Sequence, residues 1–423
     1  MIPLYQRDLL VGKPGYSQKS GYFITLLGVL ISGNPAFVFV SRRVDLSIIA
    51  IGLLAMWVKK STVRKEFLFV FAVFLLIFFS QSIRDKSFLI FTELGFLVTL
   101  FIAYALQSLV KDFPKQFTNV MFHLGILSLL FYIPAQIGSF IGVDFKSWFQ
   151  WLRADLGVYY FDIYIHNFRI ATSFYAADQE WRNAGIFWEP GAFSGYLLLA
   201  LVFLSLSRES FSQSQLRTRF IFLSSCLATT FSTAGYLIFP FVYFVFSRPS
   251  LVSSRIGKKL FLVFSLLIFT ASIPFISNLS FMQKKIRAEI ANSFNRDSNY
   301  GMSRIGGFLF DFNFIKDKPL VGWGPNPTIR MNHSLANKEV FFGQGNGLTG
   351  FTVKFGFLGI FLYFWILFRA ILPIANSNYK SYMFILFIAL ILVDEQYLNY
   401  PLLLSLMFLG RSSRWVKPDF DSC

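Results

Sequence analysis

The sequence predicts an all-α integral membrane protein that crosses the bilayer many times. Three observations predict it. Only 14% of the 423 residues are charged, where a soluble domain carries about 25%. Hydrophobic residues make up 55%. Apolar runs near the length of about 20 residues that spans a bilayer recur along the chain. A water-facing surface needs charge to stay dispersed, and a soluble fold could not hide this much apolar side chain. Lipid removes that requirement, and the 56 phenylalanines suit contact with acyl chains.

The clear runs are Tyr22 to Val40, Phe67 to Ile83, Phe88 to Val110, Phe117 to Ile141, Gly185 to Leu206, Leu260 to Ile276 and Phe351 to Phe368. Leu46 to Val58 is a shorter one. Residues 1–20 hold Arg7, Asp8, Lys13 and Lys19 and lack the apolar core of a cleavable signal, so the first span is expected to stay in the protein. Two longer polar segments interrupt the spans, Asp144–Ala184 and Ser277–Gly345. Both are expected to contain short helices.

Charge orients the spans. Basic residues cluster in short loops: Lys59, Lys60, Arg64 and Lys65; Lys111 and Lys115; Arg208, Arg217 and Arg219; Arg248, Arg255, Lys258 and Lys259; Arg369 and Lys380. Placing these loops in the cytoplasm puts both long segments outside. Arg42 and Arg43 argue the other way. The orientation requires two hairpins, Phe220 to Phe246 and Met383 to Leu409, each between loops on one side. Ser232-Thr233-Ala234-Gly235 marks the turn of the first and Asp394-Glu395-Gln396 the turn of the second. The expected architecture is a single integral membrane domain with about twelve crossings, or ten with re-entrant pieces.

The same distribution argues against nucleic acid as partner. The net charge is +17, but it sits in loop clusters as membrane proteins place it, not on one continuous face. The two cysteines, Cys226 and Cys423, define no disulfide framework or metal site. No phosphate-binding loop, zinc spacing, nucleophile elbow or dinucleotide fingerprint is present, so a nucleotide-driven pump is not expected, and neither a metal nor another cofactor.

Two stretches carry the candidate chemistry. The first is Arg182-Asn183-Ala184-Gly185-Ile186-Phe187-Trp188-Glu189-Pro190-Gly191, where the first polar segment re-enters the membrane. A carboxylate a few residues into an apolar run is a functional candidate by default. Pro190-Gly191 permits an irregular helix start with free backbone N–H groups. The bland reading is that Glu189 only pairs with Arg182. The second stretch is Ser303-Arg304-Ile305-Gly306, followed by Pro319-Leu320-Val321-Gly322-Trp323-Gly324. Ile305 to Ile315 reads as an amphipathic helix lying along the outer interface. Arg304 at its start suits a two-pronged grip on a phosphate, although a lone arginine more commonly serves as an interfacial anchor. His333, in Asn332-His333-Ser334, is a second candidate base. His123 reads as a helix-contact residue, His166 has no companion motif, and Glu93 is another carboxylate within a span.

Together these stretches resemble the bacterial O-antigen polymerase and O-antigen ligase superfamily. Arg182-x-x-Gly185-x-Phe187-x-x-Pro190 is similar to its first external-loop motif. Arg304 with Pro319-Leu320-Val321-Gly322-Trp323-Gly324 is similar to its second, and Thr230 to Gly235 to a small-residue turn between two of its helices. The resemblance covers about the last 240 residues. The ligases carry His-[Asn/Ser/Gln]-x9-Gly-x-x-Gly; here Asn346, Gly356 and Gly359 fit, but Gly345 stands where the histidine belongs. That departure favours the polymerase branch.

The resemblance implies a polytopic, metal-independent, inverting glycosyltransferase of the bacterial inner membrane, with its active face toward the periplasm. Its donor is a glycan on undecaprenyl pyrophosphate, and its further partners are membrane lipid and a chain-length regulator protein. Arg182 and Arg304 would hold the pyrophosphate; Glu189, or else His333, would take the proton of the acceptor hydroxyl. Two alternatives stand beside this: a ligase-type transfer to a lipid or protein acceptor, and a flippase for lipid-linked oligosaccharide. A flippase is expected to line a central cavity with charge, whereas these charges collect at one face.

Overall fold

A computed structural model describes residues 18–35, 37, 63–86, 90–143, 145, 154–156, 159–161, 166–167, 182–247, 304–326 and 346–409. The expected spans at Leu46 to Val58 and Leu260 to Ile276 lie outside the described residues. So do His333 and most of both long polar segments.

The described residues form a helical membrane protein. The helices are α1 (Gln18–Gly33), α2 (Lys65–Asp85), α3 (Ile90–Leu109), α4 (Phe113–Ile141), α5 (Pro190–Leu206), α6 (Gln213–Thr229), α7 (Thr233–Val242), α8 (Arg304–Asp317), α9 (Gly347–Ala375), α10 (Asn378–Asp394) and α11 (Pro401–Ser405). Four of them, α2, α3, α4 and α9, are long and apolar enough to cross a membrane. On α2, Phe69, Leu76, Phe79 and Ile83 are exposed. Their spacing of three to seven residues puts them on one stripe, which water would penalise and acyl chains accept.

Helix α5 is the centre of the bundle. Every residue from Pro190 to Leu204 is buried, with α4, α6 and α7 packed around it. A helix apolar on all sides belongs in a protein core or in lipid, and here protein encloses it. The span expected from Gly185 begins at Pro190 instead. Gly185 takes a left-handed conformation, φ +55°, which stops a helix from forming through it, and Pro190 supplies the first helical residue, where its missing N–H is no loss. The resulting 17 residues reach about 26 Å, slightly short of a hydrocarbon core.

Both expected turns form, shifted or subdivided. The first turn is Thr230-Phe231-Ser232, and Ser232 caps α7 by accepting from Gly235 N at 3.2 Å. Thr233, Ala234 and Gly235, expected in the turn, open the helix. In the second, α10 ends at Asp394, and the return consists of a single turn at Tyr397–Asn399, α11 and another single turn at Leu406–Phe408. The first polar segment was expected to contain short helices. Its described part holds an antiparallel two-stranded ribbon, Ala154–Leu156 with Tyr159–Phe161, and its run of three aromatics favours extended backbone.

Helix α9 is broken, and the second motif repairs it. Gly356 has φ +66° and ψ −174°, which frees carbonyls before it and N–H groups after it. The Pro319–Gly324 loop satisfies them. Trp323 N donates to Val353 O at 2.8 Å and Gly324 N to Lys354 O at 2.9 Å. Phe357 N donates to Pro319 O at 2.7 Å and Leu358 N to Leu320 O at 3.1 Å. Broken backbone inside a membrane protein persists only when protein supplies such partners. The fit admits glycine alone: a Cβ on Gly356 would stand 2.1 Å from Leu320 O, and one on Gly322, φ +71°, 2.6 Å from Gly356 N.

Side chains clamp the strap to α2. Gln81 Nε2 donates to Val321 O, and to Lys354 O at 2.9 Å. Arg84 Nη2 donates to Gly322 O at 2.7 Å. Asp85 pairs with Lys318 at 2.8 Å, and the Lys318 ammonium lies 3.6 Å from the centre of the Trp323 ring. The Trp323 indole N–H donates to Phe314 O at 2.9 Å, which ties the strap back to α8. On α8, Asp311, Phe314 and Ile315 are buried while Phe308 and Phe312 are exposed, so its faces do not divide into the polar and apolar sides of the amphipathic helix that the sequence predicts.

Candidate functional site

The segment 182–190 is a compact knot of turns. Asn183 is fully buried. Its N–H donates to Thr229 O at 3.0 Å, its amide donates to Thr229 Oγ1 at 2.9 Å, and its Oδ1 accepts from Gly185 N at 2.9 Å. Phe187 is buried between the rings of Phe193 and Tyr196, at centroid distances of 5.2 and 4.7 Å. Gly33 on α1 leaves room for it, since a Cβ there would stand 2.5 Å from the Phe187 ring. A Cβ on Gly185 would meet the Phe193 ring at 3.2 Å. Within the motif, then, Gly185, Phe187 and Pro190 are accounted for by packing and backbone geometry. Arg182 is the member left for chemistry, and Glu189 precedes Pro190 at a position that the motif leaves open.

Arg182 is seated on the α6–α7 turn, where its Nε donates to Thr230 O at 3.1 Å. The residues between Arg182 and Glu189 are not helical, so their separation is not that of two positions on one helix. Glu189 is the residue before α5, in extended conformation with φ −157°, and its carbonyl accepts from Phe193 N at 3.1 Å.

Two further carboxylates arrive beside Glu189 from the α10 turn. A Cβ placed on Gly191 would lie 3.1 Å from Glu395 Oε1, 3.3 Å from Glu189 Oε1 and 3.4 Å from Asp394 Oδ2. Three carboxylates thus share the space in front of one glycine. Asp394 and Glu395 are themselves buried, at 6% and 7% exposure. Among the described residues, no group of three acidic, histidine or cysteine side chains has the geometry to hold a metal ion.

The frame around this cluster is built of small residues and aromatic rings. The Tyr397 hydroxyl lies 3.2 Å from Gly191 O and 3.1 Å from Ala192 O, carbonyls at the start of α5. Gly195 makes room, because a Cβ there would stand 2.0 Å from the hydroxyl. Ser194 Oγ is 3.0 Å from Ser232 Oγ, which fastens α5 to the start of α7. Trp188 packs on Tyr400 at 5.2 Å and on Tyr397 at 6.3 Å. Asn346 caps α9 by accepting from Leu348 N and Thr349 N, both at 3.1 Å, and Gly347 packs directly on the Glu395 backbone. The starts of α5, α7 and α9 therefore meet the end of α10 in one place.

The sequence motifs divide accordingly. Arg182 and Glu189 belong to one folded segment. Arg304 opens α8, whose Asp311 accepts from Thr349 Oγ1 at 2.7 Å and so docks that helix near the start of α9. His333 lies outside the described residues. His123 contacts Tyr22 of α1, with Nδ1 2.9 Å from the hydroxyl, a helix contact as expected. Glu93 lines a cleft with Gln81, Asp85 and Trp323. His166 is 2% exposed and its ring packs on Phe131 at 5.5 Å; burial pushes its imidazole down to about 3, so it is neutral at ordinary pH.

Sequence reasoning read Asp394 and Glu395 as turn markers and passed over Lys354. All are charges inside apolar runs, the signal that singled out Glu189. What the sequence does not show is that the α10 turn and the α5 start meet. The chain matches no model of a known protein family, and no curated protein matches it.

Proposed function

We propose that this protein is a membrane glycosyltransferase, a polymerase of polysaccharide repeat units. The observation that carries the proposal is the position of Glu189, at the start of the buried central helix with Asp394 and Glu395 beside it. Carboxylates of this kind accept protons and repel anions. The acceptor hydroxyl is therefore assigned to the carboxylate side, and the donor pyrophosphate to the cations Arg182 and Arg304.

In the reaction, Glu189 takes the proton of the acceptor hydroxyl as its oxygen attacks the anomeric carbon of the donor sugar. The bond from that carbon to the pyrophosphate oxygen breaks, a glycosidic bond forms with inversion, and undecaprenyl pyrophosphate leaves with the bonding electrons. The leaving group is already good, so holding it and neutralising its charge is the arginines' main work. His333 is the alternative base. The reading places the chain in the bacterial inner membrane with about twelve crossings, or ten with re-entrant pieces. The short, subdivided returns of the two hairpins favour the lower number. Segments 144–184 and 277–345 then face the periplasm, where a chain-length regulator protein would meet them.

The test is to incubate purified protein with carrier-linked repeat units and read product length on a gel. A ladder on the carrier is expected from wild type and its loss from Arg182→Ala or Arg304→Ala. Either variant extending repeats at the wild-type rate overturns the assignment of that arginine. Glycan on a new lipid or protein acceptor would identify a ligase. Carrier-linked sugar moved across vesicles without new glycosidic bonds would identify a flippase.

A further inference from the structure

We propose that Lys354 is a positioning residue that ties the strap at the α9 break to the carboxylate cluster at Glu189. The inference rests on the glycosyltransfer reading for what the cluster does, but not for the contacts themselves.

A lysine within a membrane-spanning helix requires a reason, because desolvating an ammonium is expensive. Lys354 lies two positions before the break at Gly356, inside α9. Its backbone is held twice: its carbonyl accepts from Gly324 N of the strap at 2.9 Å and from Gln81 Nε2 of α2 at 2.9 Å. Its side chain points the other way along the chain of contacts. Lys354 Nζ donates to Asn399 Oδ1 at 2.6 Å, and Asn399 Nδ2 donates to Gln396 Oε1 at 2.7 Å. Gln396 follows Glu395 directly. The path therefore runs from the Pro319–Gly324 strap through Lys354 and Asn399 to the turn bearing Asp394 and Glu395, and so to Glu189.

This arrangement explains why the second motif and the first, far apart in sequence, belong to one device. Unbroken helix at Gly356 would have no free carbonyl at Lys354 for the strap to bind. Once the strap is bound, the base of the lysine cannot drift, and a short charge-assisted hydrogen bond transmits that fixity to the turn. A group acting as base must be held close to its productive geometry, and the carboxylates here sit at helix ends, Glu189 before α5 and Asp394 and Glu395 where α10 stops.

Trp188 reports on the turn without reference to activity, since it packs on Tyr397 and Tyr400. Its emission is isolated by subtracting the spectrum of a Trp188→Phe partner for each variant. Lys354→Met is expected to shift the Trp188 emission and to lower the polymerisation kcat by about tenfold or more, with KM changed less than about threefold. Lys354→Arg, which can still donate to Asn399, is expected to restore both. Unchanged Trp188 emission in Lys354→Met overturns the proposal, whether or not turnover falls. If Lys354→Met does not fold, Asn399→Leu breaks the same link from the other side and must give the same shift. A Trp188 shift in a protein whose wild type makes no glycan would sink the proposed function and leave the positioning role standing.

Discussion

The start of α5 and the break in α9 are both irregular backbone within a membrane protein, and they differ in how closely the backbones approach. At the α5 start side chains share the work with backbone: Asn183 Oδ1 accepts from Gly185 N and Asn167 Nδ2 donates to Phe187 O and Trp188 O, beside backbone bonds such as Asn183 N to Thr229 O and Asn167 N to Gly185 O. At the α9 break, backbone serves backbone, with four direct hydrogen bonds between the strap and the helix. The difference teaches where each region tolerates change. Side-chain frames can be altered one contact at a time, whereas a backbone-to-backbone joint depends on two chains approaching so closely that any Cβ is excluded.

The comparison is tested most severely at Gly356. Alanine there would need both a positive φ and a Cβ 2.1 Å from Leu320 O. Gly356→Ala is expected to destabilise by more than about 4 kcal/mol, read as loss of folded protein in detergent. A variant that keeps its melting temperature would mean the joint can open without consequence.

The counterpart is Glu189→Gln, which keeps size and hydrogen-bond acceptance but cannot take a proton. On the proposed reading turnover falls by about 10²–10⁴-fold, while the melting temperature stays near wild type. Turnover within about threefold of wild type, on a scale where tenfold is about 1.4 kcal/mol, removes Glu189 as base and makes His333 the next residue to test.

A smaller effect sharpens the contrast at the strap. Gln81 donates to two carbonyls, Val321 O and Lys354 O. Gln81→Leu strands Val321 O, while Lys354 O keeps its bond from Gly324 N, and a buried group left without a partner costs about 1–3 kcal/mol. A melting temperature lower than wild type but well above that of Gly356→Ala is expected, because the backbone bonds remain. An effect equal to Gly356→Ala would show that Gln81, not backbone, holds the joint.

The smallest effect concerns His166, near the α5 start. Its folded pKa, about 3, lies below the ordinary value for histidine of about 6.5. The unfolded chain then binds the proton that the folded one refuses. Stability from this group is intact above pH 6.5 and declines as pH falls from there toward 3. Between pH 7 and pH 5 the loss is about 2 kcal/mol. His166→Phe is expected to flatten the melting temperature against pH over that range, and an unchanged slope would assign it to other groups.

The sequence by itself determined the membrane class, the spans of α2, α3 and α4, and the presence of turns near Ser232 and Asp394. These follow from local composition and length, because a bilayer imposes its thickness on each apolar run separately. It also marked Glu189, since a charge in an apolar run is visible without a fold. Where α5 begins was decided by Gly185 and Pro190, whose backbone preferences outweigh the apolar run around them. Only the tertiary structure decided that Asp394 and Glu395 stand beside Glu189, that Gly356 breaks α9, and that Pro319–Gly324 supplies the partners for that break. Each of these depends on approaches between segments remote in the chain, and such approaches are set by the space that glycines leave and by backbone groups seeking partners. Neither leaves a periodic mark in the sequence.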